Sequence, residues 1–496
     1  MARVGSHRFD RLIPYRVRDV LLVCSPYDQF VLEEEGLLSG AMAEEYERLN
    51  FSQAPRIVHA TDAKQALILL RERRFDLVIT MARVGSMKVH EFGMKVKRIS
   101  ADLPVVLLAY NTRELSTIHS GKGVDYIFVW SGDSTILLAI TKMVEDKRNV
   151  DHDIEHGDVQ VLLMVEDSPR FYSKYLPRFY KTLFKQTSRL MYEGFNIHDR
   201  MLRLRARAKV LLATNYEEAL SIIKRYDQNI IGLFTDGRFP RNGKLRGDSG
   251  LRLVKQIRED HSNLPVLFLS TEDSNMEAAE ELGAKFINKD DGKLHAKIRK
   301  YMESHMGFGD FVFRNKSGEE VARANTLVEL KHCIGKIDDE VLVYHAQRNH
   351  FSHWLRTRTE FDLAARLRPA IAEDFSSTDD IRKFITEQID QFLRSQREQE
   401  VFDFTPEAAK ISPFQRLGGG SLGGKGRGLA FFFTRISELG LQDEYPGVEI
   451  GVPRTLVLAT EKFTNFIESN KLAEIALSDV SDEELAEAFL AGEFAD

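Results

Sequence analysis

Cysteine is almost missing from this chain. Its two cysteines in 496 residues, Cys24 and Cys333, cannot build a disulfide framework and stand at no metal-binding spacing, which suits a reducing compartment. No apolar run approaches the length of a bilayer span, and the N-terminal MARVGSHRFDRL lacks the apolar centre of a signal peptide. These absences predict a cytoplasmic protein without a membrane partner. A positive charge excess is missing too. The formal net charge is −6, so nucleic acid is not expected as an obligatory partner. What is present is ordinary: 43% hydrophobic and 29% charged residues, over a length that exceeds a single core. Such a length predicts about three or four domains.

The chain repeats itself. ATDAKQALILLRERRFDLVIT (60–80) is echoed by ATNYEEALSIIKRYDQNIIGLFT (213–235), each a turn, an amphipathic helix and a buried strand. LPVVLLAYN (103–111) pairs with LPVLFLSTED (264–273), and VLLVCSP (20–26) with VLLMVEDSP (161–169). Short Val/Ile/Leu runs alternating with helical patterns predict two parallel sheets, each wound with helices on both faces. In such folds functional groups gather at the carboxyl ends of the strands.

In the second copy those ends carry chemistry. The strands finish in Glu166-Asp167, Asp236, Ser270-Thr271 and Lys289. Three carboxylates at one sheet edge repel one another unless a divalent cation joins them, and hard oxygen ligands suit Mg²⁺. One carboxylate then stays available as a nucleophile, while a hydroxyl and a lysine hold phosphoryl oxygens. A single strand-end aspartate would more often cap the next helix. Here six positions agree in order.

This constellation resembles the receiver domain of two-component response regulators, over about residues 157–305. The resemblance implies that Asp236 is the phosphoacceptor, and that Glu166 and Asp167 complete a Mg²⁺ site with it. It also implies Ser270 as the switch hydroxyl, Lys289 as the motif's lysine and Phe286 as the switch aromatic. Pro240 and Asp248-Ser-Gly-Leu match later features of the motif, while the loop after Asp236 is lengthened by RNGKLRG and the region 170–208 is longer than a receiver needs. The first copy, 17–150, is blank. Val23 and Cys24 stand for the acidic pair, Met81 for the acceptor, Ala109 for the hydroxyl and Val129 for the lysine. It resembles a pseudo-receiver whose role is dimerisation or docking, with sensing through Cys24 as an alternative. The implied partners are a histidine kinase or phosphotransfer protein and a second copy of this chain.

From about 308 to 400 the pattern turns helical and reads as a connector relaying the receiver's state. His345, His350 and His353 match a metal set by count, but no acid or cysteine completes it. Phe351 and Trp354 are expected in a core, with Arg356 and Arg358 facing a carboxylate or a partner. The basic run RMLRLRARAK (200–209) has no aromatic platform for bases and reads as a solvated face or a protein contact.

LGGGSLGGKGRGLAFFF (417–433) lets backbone amides approach a phosphate, although it is no P-loop. With VPRTLVLATEKFTNFIE (452–468) it resembles the opening of the nucleotide-binding domain of phosphoenolpyruvate synthase and pyruvate phosphate dikinase. That resemblance implies ATP contacts from Gly423, Gly424, Lys425 and Gly426, while Arg454-Thr-Leu replaces the family's Pro-Gly-Phe.

The expected architecture is α/β: an N-terminal extension (1–16), then two tandem doubly wound, five-stranded, receiver-like domains (17–150 and 157–305). A helical connector (308–400) and the start of an ATP-grasp-like domain (401–496) follow, and the chain is expected to stop in mid-domain. The expected function is signal transduction through a Mg²⁺-dependent phosphoryl group on Asp236 that regulates a phosphotransferase-type output. The alternatives are part of an ATP-dependent dikinase regulated by its receivers, and a receiver-based dimerisation scaffold.

Overall fold

The structure, a computed structural model, describes residues 9, 11–34, 54–114, 123–130, 132, 135–192, 205–260, 264–368, 375–397, 402–403, 414–439, 448, 450–476 and 480–493. The chain divides into two compact units, Ser6–Lys383 and one formed mainly by Phe384–Asp496.

The first unit holds two five-stranded parallel sheets. One is built from β1 (Asp19–Val23), β2 (Arg56–Ala60), β3 (Leu77–Met81), β4 (Val105–Ala109) and β5 (Tyr126–Val129), in the order 2-1-3-4-5. The other repeats that order with β6 (Val161–Val165), β7 (Lys209–Ala213), β8 (Ile230–Asp236), β9 (Val266–Ser270) and β10 (Lys285–Asn288). β3, β4, β6, β7 and β9 are buried at every residue. That is why they read as unbroken aliphatic runs rather than as alternation. The doubly wound fold class is therefore present twice.

The repeated Ala-Thr-Asp/Asn turn has a local cause. Asp62 and Asn215 cap the helices α2 (Ala63–Glu72) and α6 (Tyr216–Arg225) by accepting from the amides of Gln65 and Glu218. Gln65 and Glu218 reach back to accept from the amides of Thr61 and Thr214, at 2.7 and 3.0 Å. Two orphan donors are satisfied at each helix start. After the third strand both copies form a small antiparallel hairpin, Arg83–Val84 with Met87–Lys88 and Phe239–Arg241 with Lys244–Arg246. The RNGKLRG insertion is thus a hairpin, turned at Asn242 and Gly243 where φ is +52° and +69°.

The two modules are fused rather than strung. Helix α4 (Thr135–Gly157) closes the first copy and leads directly into β6. Helix α5 (Pro169–Tyr192) opens the second copy and lies along β5. There the Val129 amide donates to Ser173 Oγ at 2.9 Å, and the Tyr172 hydroxyl donates to the Ile127 carbonyl. Side chains of one module thus occupy backbone groups at the sheet edge of the other. One hydrophobic cluster runs through both, joining Leu108, Phe128 and Trp130 to Leu176, Phe179, Leu212 and Phe234.

Buried ion pairs line this junction. Asp146 on α4 accepts from Arg207 at 2.7 and 2.9 Å, from Tyr180 Oη at 2.9 Å and from the Val210 amide at 2.9 Å. One turn or two further along, Asp153 pairs with Lys209 at 2.7 Å, both side chains fully buried. The end of the basic run at 200–209 is therefore an intramolecular contact, not a solvated face. Residues 200–204 lie outside the described residues.

The segment expected to be helical from about 308 opens instead with an antiparallel pair, Phe311–Arg314 and Glu320–Ala324. Its turn at Asn315–Gly318 places Gly318 at φ +86°. Helices follow from Leu327 to Leu367. Phe351 and Trp354 are buried as expected, Arg356 pairs with Asp158 at 3.1 Å, and Arg358 lies 4.0 Å over the Trp354 ring. In the unit Phe384–Asp496, three short parallel strands (Phe402–Asp403, Phe414–Leu417, Thr455–Leu458) form a sheet, and helix Gly423–Leu439 connects the last two. No helix among the described residues is long and apolar enough to cross a membrane.

Candidate active site

The strand ends of the second sheet bring Glu166, Asp167, Asp236, Ser270 and Lys289 together. The Glu166 amide donates to the Ala213 carbonyl, continuing the β6–β7 ladder, and this turns its carboxylate inward, where the residue is 1% exposed. Glu166, Asp167 and Asp236 offer oxygens that lie within 4.8 Å of one another. The Lys289 ammonium bridges two of them, 2.7 Å from Glu166 and 2.9 Å from Asp236. Its other side meets the Phe171 ring at 4.1 Å.

Asp236 is held by its backbone. Its Oδ1 accepts from the Gly237 amide at 2.6 Å, and Gly250, opening helix α7 (Ser249–Asp260), presses against its carbonyl. A Cβ on Gly250 would lie 2.2 Å from that oxygen, so this position of the Asp248-Ser-Gly-Leu stretch admits no side chain without moving Asp236. Ser270 Oγ accepts from the Glu272 amide at 3.0 Å and from Asn275 Nδ2 at 3.1 Å, and lies against Gly237. Phe286 is buried and stacks on Phe268 at 6.3 Å.

The carboxylates are frustrated. Burial pushes Glu166 up to about 8 against the pull of the Lys289 ammonium, and Asp236 adds to the rise. Burial, then the charge of Asp236, pushes Asp167 up to about 6. A compact set of three oxygen donors with too little positive charge fits a hard divalent cation. Glu166, Asp167 and Asp236 are the residues that would hold it. A raised carboxylate stabilises the fold only while it keeps its proton, so in EDTA that stability should fall as pH rises through about 8. The loss runs from the ordinary carboxylate range up to about 8; between pH 7 and 8, above the range of the buried histidines, the slope from Glu166 should be at most about 1.4 kcal/mol per pH unit, and it should level off above that. Glu166→Gln should flatten it in urea melts; an unchanged slope would place the titration elsewhere.

Pairing register corrects two positions of the first copy. The Cys24 amide donates to the Ala60 carbonyl as Glu166 does to Ala213, so Cys24 and Ser25, not Val23 and Cys24, stand for the acidic pair. Counting back from the shared Ser-Pro misplaces them, because helix α1 (Pro26–Glu34) starts one residue sooner after its strand than α5 does. Likewise the Trp130 amide donates to Ala109 as Lys289 does to Ser270, so Trp130, not Val129, replaces the lysine. Met81 and Ala109 stand as expected. Cys24, Met81 and Trp130 are buried in the shared core.

The histidines form no metal set. His345 Nε2 accepts from the Arg314 amide at 2.8 Å, and its Nδ1 faces Nδ1 of His350 at 2.9 Å. Among the described residues the acidic trio alone gathers three potential ligands. Gly423, Gly424, Lys425 and Gly426 occupy the first turn of helix Gly423–Leu439, with Lys425 exposed. Sequence reasoning missed Phe171, Tyr175 and Asn275. The first two were marked only by their spacing of four on a helix face.

No protein-family model and no curated protein matches the chain. Solved structures similar to it include the signal receiver domain of an HD domain-containing protein from Pseudomonas fluorescens Pf-5, at 18% identity over 31% of this chain and 97% of that one, with a TM-score of 0.21. The N-terminal domain of a response regulator/sensory box/GGDEF 3-domain protein from Carboxydothermus hydrogenoformans matches at 15% identity, 27% and 98% coverage and a TM-score of 0.21. The Francisella response regulator 1452 receiver domain matches at 14% identity, 26% and 98% coverage and a TM-score of 0.20. At such TM-scores these likenesses carry no argument. The weight rests on the strand order and the strand-end residues. None of the three is a phosphoenolpyruvate synthase or dikinase, and the resemblance of 412–496 to that family gains nothing from them.

Proposed function

We propose that the second module is a phosphoacceptor receiver of a two-component system, acting in the cytoplasm and charged by a histidine kinase or phosphotransfer protein. The observation that carries this reading is the Lys289 ammonium set between Glu166 and Asp236, with Asp167 beside them. Asp236 Oδ2 attacks the phosphorus of a phosphohistidine; the P–N bond breaks, the imidazole leaves and an acyl phosphate forms. Mg²⁺ bound by Glu166, Asp167 and Asp236 would screen the charge of the incoming phosphoryl group. Lys289 turns from the carboxylates to a phosphoryl oxygen, and Ser270 gives up its bonds to Glu272 and Asn275 to donate to another. Phe286 repacks behind it, which changes the face offered to the following domains. The first module, with no carboxylate at its strand ends, is the structural support of this pair. A nucleotide at Gly423–Gly426 forms no part of this reading, because one exposed lysine at a helix N-terminus is a common surface feature.

Acetyl phosphate with Mg²⁺ should add one phosphoryl group, seen by mass and removed by hydroxylamine, and EDTA should prevent it. A chain that stays unmodified under these conditions and with phosphoramidate would argue for an inert scaffold.

A further inference from the structure

Tyr175 lies in the second turn of α5 with 1% of its surface exposed, and among the described residues its hydroxyl has no hydrogen-bond partner. Burying an unpaired hydroxyl is unfavourable, so its persistence calls for a reason. Its ring stacks on Phe171 at 6.1 Å and meets His295 edge-on at 6.3 Å. Phe171 carries the Lys289 ammonium on its face, and His295 sits in the first turn of helix α9 (Leu294–His305), just after the loop from β10. Tyr175 is thus enclosed beneath the loop that carries Lys289. Helical side chains lean toward the N-terminus of their own helix, and for α5 that end starts at the acidic cluster. Burial, then the charges of Glu166, Asp236 and Asp290, makes the phenol far harder to ionise than usual, so the group stays a neutral donor.

Lys289 supplies a donor to Glu166 at 2.7 Å. Once Lys289 withdraws toward a phosphoryl group or yields to a cation, the Glu166 carboxylate is left with the Ser168 amide at 3.2 Å. We propose that the Tyr175 hydroxyl is a positioning donor held in reserve for Glu166: unpaired while lysine bridges the site, it donates to that carboxylate when Lys289 leaves and fixes it as a metal ligand. This rests on the reading of Glu166, Asp167 and Asp236 as a Mg²⁺ site.

Tyr175→Phe in the full chain separates this role from a packing role. The ring is kept, and a hydroxyl with no partner contributes nothing while Lys289 bridges the carboxylates. In EDTA the variant should therefore melt at or above the wild-type temperature. Calorimetric titration with Mg²⁺ should show affinity lowered on the order of tenfold, the loss of one hydrogen bond to a charged acceptor. Equal Mg²⁺ affinity in both proteins overturns the role of Tyr175 and leaves the metal site standing. A lower melting temperature in EDTA assigns the hydroxyl to packing and also overturns it. Wild-type protein that binds no Mg²⁺ removes the metal site itself, and the reserve donor with it.

Discussion

Asp236→Asn should fold as the wild type does and take up no phosphoryl group from acetyl phosphate. The amide keeps the shape, and its oxygen still accepts from the Gly237 amide. What it loses is the charge and the nucleophilic oxygen that faces Lys289 at 2.9 Å. Relief of repulsion from Glu166 and Asp167 should leave stability unchanged or slightly raised, so absence of the adduct cannot be attributed to unfolding. Asp167→Ala should suppress the adduct by weakening the cation site, and raised Mg²⁺ should recover part of it. Lys289→Ala should leave measurable phosphorylation, because the ammonium is no nucleophile, while weakening the structural response to it. Met81→Asp should create no second acceptor, since Cys24, Ser25, Ala109 and Trp130 supply neither metal ligand nor lysine. Mass spectrometry of the intact protein reads all four. An adduct retained at wild-type level in Asp236→Asn would remove the receiver reading.

Asp146→Ala should destabilise the first unit by about 3–5 kcal/mol, the usual cost of leaving one member of a buried ion pair without its partner. The figure is large because Asp146 serves three groups. It takes two bonds from Arg207, one from Tyr180 and one from the Val210 amide, all away from water. Arg207 is 3% exposed and stays charged, so its guanidinium would be stranded between the modules. Replacing both partners, Asp146→Leu with Arg207→Leu, should recover a large part of the loss, because a well-packed apolar pair avoids the desolvation of two ions. Urea midpoints measure both. A single-variant loss below about 1 kcal/mol would mean that water reaches this junction.

The repeat made both sheets legible, because buried parallel strands spell aliphatic runs and their capped turns spell Ala-Thr-Asp/Asn. The acidic trio, Ser270 and Lys289 were legible too, since each ends a strand whose boundaries the runs define. Register was not. Val129 and Trp130 differ by one residue, and only ladder pairing, Ala109 with Val129 as Ser270 with Asn288, tells that Trp130 stands where Lys289 does. The junction was not legible either. Asp146, Asn149 and Asp153 follow one another at helical spacing in VEDKRNVDHDIEHG and look like a solvated stripe, yet all three are buried. Their cover comes from Arg207, Lys209 and the segment Ile13–Val17, distant in sequence. Long-range burial of polar groups leaves no periodic trace. Tyr175 was hidden for a related reason, because an apolar ring at a core position does not announce which way its hydroxyl points.

The fusion of the two modules has a consequence for concentration. Receiver-like surfaces on separate chains meet only as often as their abundance and affinity allow, so such pairing weakens on dilution. Here β5 of one module and α5 of the other are joined by α4, with Ser173, Tyr172, Asp146 and Asp153 sealing the contact. Tethering replaces a bimolecular encounter by an effective concentration fixed in the chain. The first module therefore accompanies Asp236 in every molecule, at one copy per site, whether the cell makes many of these chains or few.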